Sequence, residues 1–132
     1  MTAPETTDRN PPTERVVLVD DDAEGLPELK ELFEYMGIHA ATYSCPLQAR
    51  DRVLRDPAIE VMVTDFRMSM LDGQELIQSI RSRLPAGRHV SFAILTGLVL
   101  PNGHTILGDV PCYCKPMEIE EMTDFVRSKL NI

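Results

Sequence analysis

The sequence predicts a doubly wound α/β fold, in which helices cover both faces of a parallel β-sheet. Short apolar runs alternate along the chain with segments of helical spacing, as is typical of strands joined by crossover helices. The apolar runs are continuous rather than alternating, which indicates strands that are buried on both faces. With 132 residues and a hydrophobic share of 43%, the chain is long enough to bury one such core.

Five apolar runs are predicted to form the strands of this sheet. Each run is rich in β-branched or aliphatic side chains and is bounded by polar or turn-forming residues. None approaches the length of apolar chain that a membrane span requires. The predicted strands are Val16–Val19, Ile38–Tyr43, Ile59–Thr64, Val90–Thr96 and Val110–Cys114.

Four segments between and after these strands have the apolar spacing of amphipathic helices. Gly37 provides a stop signal for the first, and Ser44 is the predicted N-cap of the second. Pro85 closes the third, while Arg127 and Lys129 in the last turn of the fourth suit the helix dipole. The predicted helices are Leu26–Met36, Pro46–Arg55, Gln74–Leu84 and Glu118–Leu130.

The start of the chain and its overall composition limit its location and its partners. Residues 1–14 are rich in Pro, Thr and charge, which predicts a flexible N-terminal tail before a folded domain of residues 15–132. The tail has no hydrophobic signal core and the three cysteines suggest no disulfide framework, so we expect a cytoplasmic protein. The net charge of -8 argues against nucleic acid or a membrane surface as partners.

Polar side chains follow four of the five predicted strands, at the points where those strands end. Because parallel strands deliver their carboxyl ends to one edge of a sheet, these side chains should lie close together. Each alone would be weak evidence for a site, since a single Asp after a strand is more often a helix cap. The residues are Asp20, Asp21 and Asp22 after the first strand, Asp65 after the third, Thr96 at the end of the fourth and Lys115 after the fifth.

These groups together predict phosphoryl chemistry that depends on a metal ion. Neighbouring carboxylates raise one another's pKa unless a positive charge lies among them. An all-oxygen set without a convergent His or Cys suits Mg²⁺, with Mn²⁺ as the alternative. An Asp beside such a metal is a candidate nucleophile towards a phosphoryl group, and the ammonium and hydroxyl groups can stabilise the phosphoryl oxygens.

The order and spacing of these motifs resemble those of receiver domains of two-component response regulators, over residues 15–130. The matching pieces are VLVDDD, VTDFRMSMLDG, ILTG and CKPMEIEEM. The resemblance implies a flavodoxin-like sheet of five parallel strands in the order 2-1-3-4-5, flanked by five helices. It also implies a domain that accepts a phosphoryl group from a histidine kinase or a histidine phosphotransfer protein, rather than a classical enzyme.

The resemblance assigns a role to each residue of the acidic cluster. Asp65 matches the phosphoacceptor, and Asp20 and Asp21 match the acidic pair that organises the metal. Asp21 and Asp65 are then the expected direct ligands, with the backbone carbonyl of Arg67 as a further one. Asp22 either extends the cluster or caps the first helix, and both interpretations remain open.

The remaining roles concern the phosphoryl group and the loop after the acceptor strand. Thr96 resembles the hydroxyl residue that moves towards the phosphoryl group, and Lys115 resembles the ammonium that pairs with it. Gly73 is expected to serve a turn into the third helix and Asp72 to cap it, without a catalytic part. Ser69 stands where the family usually has Pro, which should loosen this loop.

Two further departures from the family pattern lie near the end of the chain. Pro and Gly interrupt the segment between Thr96 and Lys115, which predicts that the family's fourth helix is short, displaced or missing. The alternative is an ordinary helix that begins late, near Asn102. Cys112 occupies the position of the family's aromatic switch residue, and strand alternation should put Tyr113 on the opposite face.

The leading hypothesis is a stand-alone, monomeric phosphoacceptor of a phosphorelay. Nothing follows residue 132, so the signal is expected to leave by contact with an unidentified downstream protein. A monomer is expected because the altered segment belongs to the family's usual dimer surface. The alternative is a receiver-like interaction module that binds its partners without being phosphorylated.

Overall fold

The computed structural model describes residues 13–97 and 105–132, and for residues 105–107 it describes the backbone only. Strands and helices alternate along the chain as the apolar pattern predicts. In chain order the elements are β1 (Val16–Val19), α1 (Gly25–Tyr35), β2 (Ala40–Tyr43), α2 (Pro46–Arg55), β3 (Val61–Thr64), α3 (Gly73–Arg81), β4 (Ser91–Thr96), β5 (Thr105–Leu107), β6 (Val110–Cys114) and α4 (Ile119–Leu130).

The sheet has the order β2-β1-β3-β4-β6-β5. Its first five strands are parallel to one another, with Val16 aligned to Ala40 on one side and to Val61 on the other. The predicted five-stranded parallel sheet is therefore confirmed, with β6 as its fifth strand. β5 is an addition at the edge, where it pairs with β6 in the antiparallel direction.

The segment between β4 and β6 replaces a helix with a strand in the part that the structure describes. Residues 105–107 form β5, and the chain then turns back into β6 at Gly108, whose φ of 40° is in the left-handed region that favours glycine. The described residues contain four helices and none in this segment, as the Pro and Gly pattern predicts. Asn102, the start of the alternative late helix, lies outside the described residues.

The core consists of two apolar layers, one on each face of the sheet. Along β1, Val17 and Val19 join the layer under α2 and α3, whereas Val16 and Leu18 join the layer under α1 and α4. All four side chains are buried. This two-sided burial explains why the strands read as continuous apolar runs. Among the described residues no helix is both long and apolar enough to cross a membrane.

The helix boundaries agree with the sequence signals at most positions. Gly37 ends α1 with a φ of 81°, and its N–H donates to the Glu34 carbonyl at 2.9 Å. The prediction of Ser44 as the N-cap of α2 is wrong, because Cys45 holds that position without a side-chain cap. α2 instead begins with Pro46, which has no N–H to leave unpaired in the first turn.

A capping box fixes the start of α3. Oδ1 of Asp72 accepts a hydrogen bond from the N–H of Glu75 at 2.8 Å, and Oε1 of Glu75 accepts one from the N–H of Asp72 at 2.8 Å. The predicted cap is confirmed, and the reciprocal pair satisfies two backbone donors at once. α3 ends at Arg81, earlier than the predicted Leu84, and α4 begins at Ile119 with Glu118 as its N-cap.

Arg88 closes the carboxyl end of α2, a role that the sequence analysis missed. Its guanidinium donates to the carbonyl oxygens of Leu54 at 3.3 Å, Asp56 at 2.8 Å and Ile59 at 3.1 Å. The last carbonyls of a helix lack intrahelical donors, so a cation with several N–H groups suits this place. The contact ties the segment before β4 to α2.

The first described residues are bonded to the rest of the molecule. Glu14 lies 2.9 Å from Nη2 of Arg52, and Arg15 donates to Glu60 and to the Leu130 carbonyl. The division into a tail of residues 1–14 and a domain of residues 15–132 stays a prediction, since residues 1–12 lie outside the described part.

Candidate functional site

The predicted site residues follow β1, β3, β4 and β6 at the carboxyl edge of the sheet. The parallel hydrogen bonding continues one residue beyond the strands: the N–H of Asp65 donates to the Val19 carbonyl at 2.9 Å, and that of Lys115 to the Thr96 carbonyl at 2.8 Å. These bonds hold adjacent strand ends in register. The backbone thus brings Asp20, Asp65, Thr96 and Lys115 to one place.

Asp65 is half-buried at the end of β3. Burial raises the pKa of its carboxyl above the ordinary value, and the negative charge of Asp20 raises it further. Three contacts lower the same pKa. They are the positive charge of Lys115, the hydrogen bond from the N–H of Phe66 to Oδ1 at 2.7 Å, and a hydrogen bond with the Thr96 side chain. Asp65 therefore interacts with Asp20, Thr96 and Lys115, the other residues that the backbone brings to this edge.

Lys115 pairs with Asp20 inside this group. Its Nζ lies 3.1 Å from Oδ2 of Asp20, while Oδ1 accepts a hydrogen bond from the N–H of Asp22 at 2.9 Å. Asp20 is only 4% exposed, so its charge requires such partners. The same ammonium also lowers the pKa of Asp65, so its positive charge acts on both carboxylates.

Asp22 lies outside this pair and contacts the start of α1. Its Oδ1 accepts a hydrogen bond from the N–H of Glu24 at 3.1 Å, and its side chain is exposed. The N-cap position belongs to Glu24, which has no side-chain cap. Asp22 therefore accepts a hydrogen bond from a backbone N–H just before α1, although it is not the N-cap residue itself.

Asp21 connects the loop after β1 to the loop after β3. Its exposed carboxylate accepts a hydrogen bond from the N–H of Ser69 at 2.8 Å. A proline has no N–H, so the family's usual residue could not make this bond. The loop that the sequence predicts to be looser thus has a tether at Ser69. Arg67, the expected carbonyl ligand, is exposed in the same loop.

Gly73 allows α3 to approach the end of β3 closely. A Cβ at this position would lie 2.4 Å from the carbonyl oxygen of Asp65 and 3.2 Å from Cγ2 of Thr64. The N–H of Gly73 also donates to the Phe66 carbonyl at 2.7 Å. The structural reason for this glycine is therefore close packing of helix on strand, rather than the turn that the sequence suggested.

The carboxylates fit a magnesium ion by their chemistry. Asp20 and Asp65 are close enough for the charge of one to raise the pKa of the other, and an all-oxygen donor set suits Mg²⁺. Over the described residues no three acidic, His or Cys side chains form a ready metal cage. Mg²⁺ requires only one or two carboxylates when water and phosphate complete its shell, so the residues present fit it.

The position of the family's aromatic switch lies in the core. Cys112 is buried in the layer under α2 and α3, and burial raises the pKa of its thiol to about 11. Tyr113 points to the other face, where its ring centroid lies 6.2 Å from that of Phe125. The predicted alternation along β6 is confirmed, and Tyr113 does not take the place of the switch residue.

Comparison with known proteins gives the family. The model of the response regulator receiver domain matches residues 16–126. A curated relative, the two-component response regulator PprB of Pseudomonas aeruginosa, is 30% identical over 82 residues, which cover 62% of this chain and 30% of that protein. The chain thus spans less than a third of that relative's length.

Solved structures show the same fold. The receiver domain of a Francisella response regulator has a TM-score of 0.75 at 24% identity, covering 90% of this chain and 98% of that one. A two-component response regulator from Clostridium difficile has a TM-score of 0.72 at 17% identity, covering 90% and 97%. The chain belongs to the response regulator receiver domain family, a family of phosphoacceptor signalling modules.

Proposed function

We propose that this protein accepts a phosphoryl group on Asp65 in a two-component phosphorelay. The donor is the phosphohistidine of a sensor kinase or of a histidine phosphotransfer protein. The observation that carries the proposal is the meeting of Asp20, Asp65, Thr96 and Lys115 at the ends of four strands. Each group supplies one requirement of phosphoryl transfer to a carboxylate.

The transfer forms a bond between a carboxylate oxygen of Asp65 and phosphorus as the phosphorus–nitrogen bond of the donor breaks. The imidazole leaves with the electron pair of that bond. The N–H of Phe66, 2.7 Å from Oδ1, orients the nucleophile. When bound by Asp20, Asp21, Asp65 and the Arg67 carbonyl, Mg²⁺ or Mn²⁺ supplies positive charge that favours the ionised carboxylate and stabilises the phosphoryl oxygens.

Lys115 and Thr96 respond to the new charge. The ammonium of Lys115, bonded to Asp20 at 3.1 Å, is near enough to exchange that partner for a phosphoryl oxygen. The Thr96 hydroxyl, which is hydrogen-bonded to Asp65, can donate to an oxygen of the phosphoryl group. These exchanges rearrange the loops after β4 and β6, and the signal leaves through contact with a downstream protein.

The decisive experiment is incubation of the protein with acetyl phosphate and Mg²⁺, followed by intact-mass measurement. We expect one added phosphoryl group, which EDTA prevents and Mn²⁺ restores. Asp65→Asn should not be labelled, whereas the exposed neighbour variant Asp22→Asn should be labelled like the native chain. Labelling of Asp65→Asn would overturn the assignment of the acceptor.

A second function is favoured by the contacts of Asp20 and Asp21. Both carboxylates are occupied, by Lys115 and by the N–H of Ser69, which suits a module that binds partners without phosphorylation. A chain that takes no phosphoryl group from acetyl phosphate or from a phosphorylated kinase domain would establish this alternative. In either case we place the protein in the cytoplasm, where its three free cysteines would stay reduced. We expect a monomer because the segment between β4 and β6, part of the family's usual dimer surface, is altered.

A further inference from the structure

Two arginines converge on one serine hydroxyl between α2 and the end of α3. Nη1 of Arg50, on α2, donates to Oγ of Ser79 at 2.9 Å. Nη1 of Arg83, just beyond α3, donates to the same Oγ at 2.6 Å and to the Ser79 carbonyl at 3.0 Å. A neutral hydroxyl thus accepts hydrogen bonds from two positive charges, which repel each other.

These two arginines differ from their neighbours in their ion pairing among the described residues. In the part of the chain that the structure describes, no carboxylate lies within ion-pair distance of Arg50 or Arg83. Other arginines of the same region are paired: Arg52 with Glu14 and Asp56, and Arg81 with Asp109. The positive charges of Arg50 and Arg83, unpaired within the described part of the chain, thus contrast with the chain as a whole, whose net charge is -8.

The structure therefore points to an oxyanion site, and we propose that Arg50, Ser79 and Arg83 bind one phosphate group. Each guanidinium uses only one nitrogen in the contacts with Ser79, so further N–H groups are available. A phosphate monoester carries about -1.5 to -2 charges and three acceptor oxygens, which match two guanidinium groups and one hydroxyl donor. Arginine binds such groups through its planar fork.

This site is separate from the phosphoacceptor edge. α3 begins at Gly73, next to Asp65, and Ser79 lies about 9 Å further along the helix at 1.5 Å per residue. A ligand held there would contact α2 and α3. The phosphate can belong to a free ion or metabolite, or to a phosphorylated side chain of a partner protein, because both present the same group.

The test is an NMR titration of the full chain at constant ionic strength. Inorganic phosphate represents the free source, a phosphoserine peptide represents the protein source, and its unphosphorylated form and sodium chloride are the controls. We expect saturable shifts of the Ser79 amide and of the Arg50 and Arg83 Nε–H groups. The shifts should be larger at pH 7.5 than at pH 5.5, because phosphate gains its second negative charge in between. The tighter-binding probe identifies the source.

Matched variants decide whether the site is specific. Arg50→Gln and Arg83→Gln keep helix-compatible side chains and should each weaken binding about tenfold, as expected for loss of a charge-assisted hydrogen bond. Arg55→Gln removes an exposed arginine of the same helix and should leave affinity unchanged. Linear shifts that chloride reproduces, or equal affinity in the double variant Arg50→Gln/Arg83→Gln, would overturn the proposal. Asp65→Asn should bind phosphate at Ser79 normally, which separates this result from the phosphoacceptor test.

Discussion

The ammonium of Lys115 lies 3.1 Å from Oδ2 of Asp20, across the space between the ends of β6 and β1. Asp20 is almost fully buried, and its charge also acts on Asp65. Lys115 thus offsets two carboxylates at once. The resting site is stabilised by this cation, and any partner that competes for Asp20 must displace it.

Replacement of Lys115 should expose this dependence. Lys115→Ala leaves Asp20 without its ammonium, so we expect a loss of about 1–2 kcal/mol in the free energy of unfolding at pH 7, less than for a fully buried pair because Lys115 is partly exposed. Urea unfolding measures this loss. Added Mg²⁺ should restore more stability to Lys115→Ala than to the native chain, and an equal gain in both would show that Lys115 does not offset the charge of Asp20.

The charge of Asp65 should destabilise the native fold. Its pKa is raised by burial and by Asp20, so the folded state binds its proton more tightly than the unfolded state. The cost of the ionised form is present above the folded pKa and is relieved as the pH falls through it. Asp65→Asn should therefore be more stable than the native chain at pH 7, and the difference should shrink in acid.

Thermal unfolding between pH 4 and pH 7.5 without Mg²⁺ measures this difference. Asp22→Asn, at an exposed carboxylate, is the matched control and should change the midpoint little throughout. A gain in Asp65→Asn that is constant with pH would show that packing, rather than charge, is responsible.

Gly73 should not tolerate a side chain. In Gly73→Ala the new Cβ would lie 2.4 Å from the Asp65 carbonyl oxygen, which is backbone and cannot rotate away. We expect a destabilisation of about 1–3 kcal/mol in urea unfolding, together with shifted amide resonances around Asp65. Gly25→Ala, where the nearest atom is 3.8 Å away, is the control and should be neutral or slightly stabilising. Similar losses in both variants would rule out the close approach as the cause.

The tether between Asp21 and Ser69 should protect one amide. Asp21→Ala removes the acceptor that lies 2.8 Å from the Ser69 nitrogen, so hydrogen exchange at Ser69 should accelerate on the order of tenfold. The same variant should bind Mg²⁺ more weakly in an NMR titration. Asp22→Ala serves as the control for both measurements. Unchanged exchange at Ser69 would mean that the hydrogen bond is not maintained in solution.

Cys112 should be the least reactive of the three cysteines. With a pKa of about 11, roughly one thiol in a thousand is ionised at pH 8, and the side chain is buried. Mass spectrometry after brief treatment with iodoacetamide should find label at Cys45 and Cys114 before Cys112. Labelling of Cys112 should require denaturant. Its modification at the rate of an exposed thiol in the native protein would contradict the burial.

The sequence predicted most of the sheet because a strand buried on both faces leaves a local signal, a continuous run of apolar residues. Val16 to Val19 are all apolar, and a strand with helices on both faces requires that pattern. The cap at Asp72 was also readable, since a capping box depends on residues three positions apart. The start of α2 was not readable: the sequence predicted Ser44 as its N-cap, but Pro46 opens the helix, so the N-cap falls one residue later, at Cys45.

The sequence by itself determined which polar residues end the strands, and therefore that Asp20, Asp65, Thr96 and Lys115 belong to one edge of the sheet. Only the tertiary structure decided how they pair: that Lys115 contacts Asp20 and that Asp21 is held by Ser69. It also decided that Arg50 and Arg83 meet at Ser79. The physical reason is distance along the chain, because spacing predicts contacts within one element, whereas contacts between elements depend on how the helices and loops pack together.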